Sequence, residues 1–345
     1  MLVRAALLGA LLLAAAGVGA WAVWSRVQAP YKGYAEAERF VDIPPGTRTA
    51  EIGAHLAAAG VVSDARVFRV ALWWTGRGRA LKAGEYRFDR PMTVLAVIDT
   101  IARGDVFSQK VTFPEGLTIP DLAAIYAARG LGAAADFEAA ARDGSRIADL
   151  DPDARDLEGY LFPDTYAVPR ATPAATMVGL MVDRFRAAYS DDLRRRAAQQ
   201  GLTTRQVVTL ASLVEKETAR AEERPLVAAV YRNRVRLKMG LQADPTVVYA
   251  LRKAGRYDGN IRKRDLALDS PYNTYRYAGL PPGPIAAPGQ ASLEAALAPA
   301  GVPYLYFVSR NDGSHVFAET LAQHNRNVQE FQVRYFQQRR RRAAR

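Results

Sequence analysis

The feature that most constrains the fold is an internal repeat, in which a strand, a turn and a helix recur 70 positions later. The turns read IPPG at residues 43–46 and FPEG at residues 113–116. The residues that match after the turns are Glu51 and Asp121, Ile52 and Leu122, Ala54 and Ala124, Ala57 and Ala127, Ala58 and Ala128, and Gly60 and Gly130. Proline and glycine favour turns, and glycine commonly follows the end of a helix. The repeat therefore predicts two copies of a small αβ unit.

The length of the chain, 345 residues, exceeds what one hydrophobic core usually organises, so we expect more than one folded domain. Between the two copies, residues 84–88 alternate like a strand, and residues 93–104 form a helical pattern that ends in glycine. We therefore predict an α+β protein with a small αβ module at residues 39–110. A connecting αβ segment at residues 111–156 leads to a mixed α/β domain at residues 157–335.

The N-terminus carries an apolar stretch of 20 residues without a charge, from Ala5 to Trp24. As a helix it has a length of about 30 Å, which matches the hydrocarbon core of a bilayer. This predicts a transmembrane helix at residues 5–24, between a cytoplasmic stub at residues 1–4 and a polar tether at residues 25–38. A cleaved signal peptide is the alternative, although its apolar region is typically shorter. A retained anchor at the N-terminus most often leaves the rest of the chain outside the cytoplasm.

The composition excludes several classes of chemistry. The absence of cysteine rules out disulfides, thiol nucleophiles and thiolate metal sites. The histidines at 55, 315 and 324 lack the short spacing of metal ligands, so we predict no metal site and expect His315 and His324 to be hydrogen-bonded structural residues. A carboxyl group is therefore the expected proton carrier if the protein is an enzyme.

Part of the formal charge of +12 lies in a basic tail at residues 336–345, which contains five arginines. Such a run is typical of a solvated tail, and contact with anionic lipid headgroups or an acidic polymer is the alternative. No basic strand with interleaved aromatic residues accompanies it, so we do not predict nucleic-acid binding.

Two glutamates stand at the end of a predicted helix over residues 203–219, whose N-cap is Thr203 or Thr204. An apolar stripe on this helix consists of Val207, Leu210, Ala211, Val214 and Thr218. At 100° per residue, Glu215 and Glu217 flank the stripe at about +80° and about −80°. A carboxyl group at the rim of an apolar face is partly desolvated, which raises its pKa and retains its proton near neutral pH. A solvated helix flank is the alternative, and periodicity does not distinguish the two glutamates.

Turn-rich segments after this helix carry amide, carboxylate and tyrosine side chains. They read LQADPTVVY at residues 241–249, SPYNTY at residues 270–275 and GLPPGPIAAPG at residues 279–289. Because amides hydrogen-bond to hydroxyls and aromatic rings stack on sugar faces, these segments are suited to line a groove for a neutral, hydroxyl-rich ligand. Taken singly, each is also ordinary turn chemistry.

Together these motifs resemble the YceG-like family of endolytic murein transglycosylases, membrane-anchored enzymes that cut peptidoglycan glycan strands. The resemblance rests on EGYLFPDTY at 158–166, ASLVEKET at 211–218, LQxDPTVVY at 241–249, YNTY at 272–275, GLPPG at 279–283 and PYLYFV at 303–308, followed by His315 and by His324 with Asn325. The motifs occur in the family's order and cover nearly the whole chain.

The resemblance implies that the catalytic acid is Glu217, the second glutamate of the Glu-Lys-Glu motif. It implies cleavage of the β-1,4 bond between N-acetylmuramic acid and N-acetylglucosamine, with 1,6-anhydro-muramic acid ends and no cofactor or metal. The candidate substrate-binding residues are Gln242, Asp244, Asn273, Tyr275, Glu158 and Asp164.

Other expectations also follow from the resemblance, among them a single-pass location in the bacterial plasma (inner) membrane with most of the chain on the periplasmic, extracytoplasmic side. The module at residues 39–110 is similar to the family's LysM-like module. The implied partners are peptidoglycan glycan strands, the membrane through a single N-terminal helix, and peptidoglycan synthases, and the implied role is termination of nascent glycan elongation. A non-catalytic, membrane-anchored scaffold that binds peptidoglycan is the alternative. A serine hydrolase is disfavoured because the sequence lacks a Gly-x-Ser-x-Gly elbow.

Overall fold

The computed structural model describes residues 2–337 and residue 339. Of the predicted basic tail, residue 338 and residues 340–345 lie outside the described residues. The chain divides into two compact units, the first comprising Met1–Gln109 with Ala167–Pro169 and the second comprising Lys110–Tyr166 with Arg170–Arg345. Helices are combined with three small two-stranded sheets in the described part of the chain, which confirms a mixed helix and strand protein.

The first unit packs helices against one antiparallel strand pair. Its elements are α1 (Leu2–Gln28), β1 (Arg39–Ile43), α2 (Thr49–Ala58), α3 (Ala65–Thr75), β2 (Gly84–Phe88) and α4 (Val94–Arg103), with a 3₁₀ turn at Arg77–Arg79. Val41 of β1 lies opposite Tyr86 of β2, and both side chains are buried with Ile43 and Phe88. Because alternate strand residues face the same side, these four form the sheet's contribution to the core. The similarity of this unit to a LysM module stays a prediction.

Residues 25–38, which we expected to form a tether, are in part packed into the first unit. Val27 at the end of α1 is buried in the core cluster. The hydroxyl of Tyr34 donates to the carbonyl of Phe88 at 2.8 Å, and Tyr31 forms an isolated antiparallel bridge with Met92. Helix α1 therefore continues into the first unit without a free linker.

The predicted membrane segment at residues 5–24 lies within α1. In the described part of the chain, no helix has the length and hydropathy that crossing a membrane requires. The transmembrane helix stays a prediction.

The repeat in the sequence is a repeat in the structure. β1, a turn and α2 form the first copy, and β3 (Gln109–Thr112), a turn and α5 (Ile119–Ala128) form the second. Gly60 and Gly130 follow the two helices with φ of +71° and +69°, a region that disfavours residues with a Cβ atom. The matched acids Glu51 and Asp121 accept the backbone N–H of their N-cap residues. The sequence match therefore reflects one local geometry used twice.

The second unit is mainly helical. After α5, the chain forms α6 (Ala134–Ala141), β4 (Thr165–Val168, of which the last two residues are assigned to the first unit), α7 (Ala174–Ala188), α8 (Asp191–Gln199), α9 (Thr204–Glu217), α10 (Arg224–Arg236), α11 (Asp244–Lys253), α12 (Gln290–Leu297), β5 (Tyr306–Ser309), β6 (His315–Ala318) and α13 (Leu321–Val328). There are also 3₁₀ turns at Gly144–Ile147 and Lys263–Ala267 and a π-helical turn at Gln329–Arg334. β5 and β6 form an antiparallel hairpin.

Helix α9 is the central element of the second unit. The side-chain hydroxyl of Thr203 accepts the N–H of Gln206, so the predicted N-cap is confirmed. Eight consecutive residues, from Val207 to Val214, are buried, because α8, α10, α11 and α12 all contact this helix. The predicted apolar stripe required burial of one face only, whereas this helix is buried on every side. The surrounding helices therefore fix the position of the glutamates at its C-terminal end.

Candidate active site

Glu217 is the last residue of α9, two residues before the predicted end of the helix. The helix stops there because Thr218 is extended, with φ −142° and ψ 134°. The hydroxyl of Thr218 donates to Glu223 at 3.0 Å, which holds the chain in this conformation. The residue Glu217 is half-buried at this position.

The carboxyl group of Glu217 receives a hydrogen bond from the middle of α10. The hydroxyl of buried Tyr231 donates to Oε1 of Glu217 at 2.6 Å. Burial raises the pKa of Glu217 because it penalises the charged form, and the charge of Asp244 adds to this effect. The hydrogen bond from Tyr231 and the charges of His315 and Arg234 lower the pKa in part. The net result is a raised pKa, as an acid that donates a proton near neutral pH requires.

A buried cation lies near this acid. The guanidinium of Arg234 donates to the backbone carbonyls of Leu305 at 2.6 Å, Leu241 at 2.8 Å and Gly240 at 3.2 Å. Burial lowers the pKa of Arg234, and the neighbouring Tyr231 and Glu217 raise it. Arg234 therefore ties α10 to two other segments and supplies positive charge beside Glu217.

A histidine and carboxylate pair also lies near Glu217. Glu223 accepts the backbone N–H of His315 at 2.8 Å, and its Oε2 lies 2.7 Å from Nδ1 of the same histidine. Burial alone would raise the pKa of Glu223, but the hydrogen bonds from His315 and Thr218 outweigh it and lower the pKa. An ionised Glu223 therefore fixes the imidazole ring with Nδ1 toward the carboxylate.

Asp244, Tyr275 and Gln242 come together on the side of α11. The hydroxyl of Tyr275 donates to Oδ1 of Asp244 at 2.6 Å, and both residues interact electrostatically with Glu217. Gln242 is exposed and has φ of +52°, which is uncommon for a residue other than glycine. Its N–H donates to the carbonyl of Thr274 at 3.1 Å, so the loop is held in this conformation. Two predicted substrate-binding residues, Asp244 and Tyr275, therefore lie in the surroundings of Glu217, and Gln242 belongs to the loop that precedes Asp244.

A groove continues from Asp244 along α11. A concavity of about 330 Å³ is lined by Asp244 and Tyr249, and a second of about 450 Å³ is lined by Tyr249 and Glu158. The two concavities adjoin, since both are lined by Thr118, Tyr249 and Arg252, and together they are called the groove.

Glu158 is buried at the wall of this groove. Its carboxyl group accepts the N–H of Ile119 at 3.2 Å and the hydroxyl of Tyr249 at 3.3 Å. Burial raises its pKa to about 8, and the hydrogen bond from Ile119 offsets part of this. The Glu158 carboxyl is therefore largely protonated at neutral pH.

Two other predicted binding residues have partners within the protein. The side chain of Asn273 is fully buried, donates to the carbonyls of Leu266 and Leu268, and accepts the N–H of Tyr275. Asn273 therefore fastens the turn that carries Tyr275. Asp164 pairs with Arg184 at 2.6 Å and lines a different concavity, so it is not brought to the groove.

The structure gives the two glutamates of α9 different surroundings. Glu215 accepts the N–H of Gly289 at 3.0 Å and the hydroxyl of Ser292 at 2.8 Å, and it lies 3.5 Å from the guanidinium of Arg224. All of its partners belong to the framework, so Glu215 anchors the start of α12. Lys216 points to another side and donates to the carbonyl of Gly116.

Sequence reasoning did not identify Tyr231, Arg234 and Glu223 as site residues, and it gave His315 only a structural role. A sequence pattern could have indicated two of them. Tyr231 and Arg234 stand one turn apart on α10, on the helix face whose other residues are mainly apolar, and both are buried in the structure. The partner of His315 could not be read from spacing, because Glu223 lies 92 residues away.

In the described part of the chain, no group of three or more histidine, aspartate or glutamate residues is arranged to hold a metal ion. Glu217, its hydrogen-bond donor Tyr231 and the nearby groove form an arrangement that suits an enzyme with a single carboxyl acid.

Comparison with known proteins agrees with this class. The model of the YceG-like family matches residues 41–330. The chain is 31% identical over 308 residues to the endolytic murein transglycosylase of Bacillus subtilis (strain 168), covering 84% of each protein. It is 30% identical over 325 residues to the endolytic murein transglycosylase of Streptococcus pneumoniae (serotype 2, strain D39), covering 84% of this chain but 58% of that protein.

A solved structure also matches. The crystal structure of a YceG-like protein from Listeria monocytogenes aligns with a TM-score of 0.58 and 30% sequence identity, covering 85% of this chain and 99% of that one. The chain therefore belongs to the YceG-like family, which confirms the resemblance found in the sequence.

Proposed function

We propose that this protein is a peptidoglycan lytic transglycosylase in which Glu217 is the catalytic acid and base. The observation that carries the proposal is the half-buried Glu217 carboxyl, whose pKa is raised, which accepts a hydrogen bond from Tyr231, and which lies near Asp244 at the end of the groove. The names of the Bacillus and Streptococcus relatives support the reaction class.

The reaction requires no second carboxylate. Protonated Glu217 donates its proton to the β-1,4 glycosidic oxygen as the bond from C1 of N-acetylmuramic acid breaks. The C6 hydroxyl of the same sugar then attacks C1, and its proton passes to the Glu217 carboxylate. The acid is regenerated, a 1,6-anhydro-muramic acid end forms, and no water is consumed. This differs from hydrolysis by glycosidases that use a pair of carboxylates.

The neighbours of Glu217 have separate roles in this proposal. Because Tyr231 donates to Oε1, the transferable proton resides on Oε2. Tyr231, Arg234 and His315 stabilise the carboxylate that forms after donation, since each favours the charged state. Asp244 disfavours that state and thereby keeps the acid protonated before the reaction.

The groove residues are proposed to contact the sugar. Gln242, Asp244 and Tyr275 offer amide, carboxylate and hydroxyl groups to substrate hydroxyls and acetamido groups. Glu158 extends the groove with a carboxyl group that is neutral at pH 7. For Asn273 and Asp164, the internal partners described above favour support of the framework over direct contact.

The location and physiological role are further proposals. The charge-free stretch from Ala5 to Trp24 supports anchoring of α1 in the plasma membrane, with the two units on the extracytoplasmic side. We infer that synthases polymerise glycan at the same membrane and that this enzyme terminates the nascent strands. Carbonate extraction of membranes tests the anchor, and strand lengths after deletion of the gene test the role, since unchanged lengths contradict it.

The test of the chemistry compares Glu217→Gln with Glu222→Gln, a matched change at an exposed acid nearby. Both proteins are incubated with sacculi, and the soluble muropeptides are analysed by mass spectrometry. We expect Glu217→Gln to lower release of anhydro-muropeptides by about 10³-fold, in the range for loss of a general acid, without loss of fold. Products with reducing ends contradict the transglycosylase reaction, and sedimentation with sacculi without release by the unmodified protein supports the scaffold.

A further inference from the structure

The four tryptophans of the sequence lie together on the first unit. The rings of Trp24 on α1 and Trp74 on α3 are 4.9 Å apart, Trp21 precedes Trp24 by about one helical turn, and Trp73 adjoins Trp74. The exposed fractions of Trp21, Trp24, Trp73 and Trp74 are 70%, 42%, 83% and 59%. We call these four residues the tryptophan patch. A contiguous apolar patch on a protein surface marks a site of interaction.

Helix α3 presents this patch because its two faces differ. Val67, Phe68, Ala71 and Leu72 are buried in the core of the first unit. The outward face carries Arg66, Arg69, Val70 and Trp73, all exposed. An ordinary surface helix exposes polar residues throughout, whereas apolar rings interleaved with arginines are typical of a helix that lies at a membrane interface.

The arginines around the patch carry charge that is not neutralised. Arg66, Arg69 and Arg79 form no ion pair with an acid in the described part of the chain, whereas the neighbouring Arg77 pairs with Asp99. Arg69, Trp73 and Arg79 line a concavity of about 540 Å³ whose lining includes no acid. Guanidinium groups in such a setting are suited to phosphate groups.

The position of the patch identifies what covers it. Trp24 ends the charge-free stretch of α1, and Val27 in the next turn is buried in the core, so the patch is fixed beside the apolar stretch. Tryptophan favours the boundary between headgroups and acyl chains, where its ring is apolar and its N–H is hydrated. We propose that the tryptophan patch docks the first unit on the headgroup layer of an anionic bilayer, with Arg69 and Arg79 receiving lipid phosphates. This proposal is independent of the catalytic site.

The experiment measures the depth of one ring. The full chain with Trp21→Phe, Trp24→Phe and Trp74→Phe retains Trp73 as its single tryptophan. It is placed in phosphatidylglycerol nanodiscs with brominated acyl chains, and in matched nanodiscs without bromine. We expect quenching of Trp73 by the brominated lipid and protection from aqueous iodide. Quenching by iodide alone overturns the proposal, as does shielding from both quenchers, which indicates a protein or a second copy on the patch.

A second measurement tests the arginines. In the full chain, Arg69→Gln with Arg79→Gln is compared with Arg103→Gln, an exposed arginine of the same unit that pairs with Asp105. Protection of Trp73 from iodide is titrated against the phosphatidylglycerol content of the nanodiscs. We expect the double variant to require more anionic lipid, by about fivefold per arginine, and the control to be unchanged. Equal titrations for all three proteins contradict the role of the arginines as phosphate ligands.

Discussion

The hydroxyl of Tyr231 donates a 2.6 Å hydrogen bond to Oε1 of Glu217, which joins the middle of α10 to the last residue of α9. In the proposed reaction, this contact leaves Oε2 of Glu217 free to carry the proton. It also opposes the effect of burial, because a hydrogen bond to a carboxylate favours the charged form. Burial raises the pKa of Glu217 and the hydrogen bond from Tyr231 lowers it, and the effect of burial is the larger.

Tyr231→Phe removes the hydrogen bond and leaves the ring. The pKa of Glu217 then rises further, since burial is opposed by fewer groups. An acid must be protonated to begin the reaction, so the alkaline limb of kcat/KM moves to higher pH. We expect the maximal rate to fall about tenfold or more, because a hydrogen bond to the charged product state is lost. The release of anhydro-muropeptides across the pH range measures both effects.

The matched control is Tyr277→Phe. Tyr277 is exposed and its hydroxyl donates to Asp269. This substitution therefore removes a tyrosine hydroxyl that also donates to a carboxylate, but at the protein surface. We expect an unchanged pH profile. A shift of the alkaline limb to lower pH in Tyr231→Phe contradicts the assigned direction of this hydrogen bond.

Glu215→Gln is expected to affect stability more than chemistry. The carboxylate of Glu215 accepts from Gly289 and Ser292 and lies beside Arg224, and its side chain is buried. The substitution leaves the charge of Arg224 less compensated, which costs about 3 kcal/mol of the free energy of unfolding. Urea denaturation measures this, with Glu294→Gln on the exposed side of α12 as control, for which about 0.5 kcal/mol or less is expected. Equal stabilities for the two variants are inconsistent with an anchoring role.

The sequence predicted local structure well, because local structure depends on nearby residues. The repeat predicted both strand, turn and helix units, since proline, glycine and the N-terminal acids act within a few positions. The Thr203 cap was predicted for the same reason. Periodicity placed Glu215 and Glu217 on opposite flanks of the apolar stripe, but the choice of Glu217 came from the resemblance to a family.

The sequence did not predict the surroundings of the acid, because these form between distant segments. Tyr231 is supplied by the next helix, and His315 by a hairpin 92 residues from Glu223. The burial of Asn273 could not be predicted either, since it depends on carbonyls that the fold places around its amide.

The raised pKa of Glu158 makes the free energy of unfolding depend on pH. Its pKa is raised to about 8 in the folded protein, above the value of about 4.3 in an unfolded chain. The folded state therefore binds this proton more tightly than the unfolded chain. The contribution of protonated Glu158 to the free energy of unfolding is complete below about pH 4.3 and is lost as pH rises toward 8. The loss is at most roughly 1.4 kcal/mol per pH unit. The free energy of unfolding at pH 5 and pH 8 measures it.

Glu158→Gln isolates this contribution, because the amide does not titrate. We expect the variant to gain stability relative to the unmodified protein as pH rises from 5 to 8. Parallel pH profiles for the two proteins are the result that excludes a raised pKa at Glu158.

Glu223→Gln tests the orientation of His315. Glu223 accepts from the backbone and lies against Nδ1 of His315, and it also accepts from Thr218, which follows Glu217, the proposed catalytic acid. An amide cannot accept at both positions, so the ring and the end of α9 lose their fixed geometry. We expect kcat to fall by as much as about 100-fold with little change in KM, because misplacement affects the reacting groups more than the groove. Glu222→Gln, at the exposed neighbour, is the control and is expected to keep kcat. A rise in KM at constant kcat instead assigns Glu223 and His315 to substrate binding.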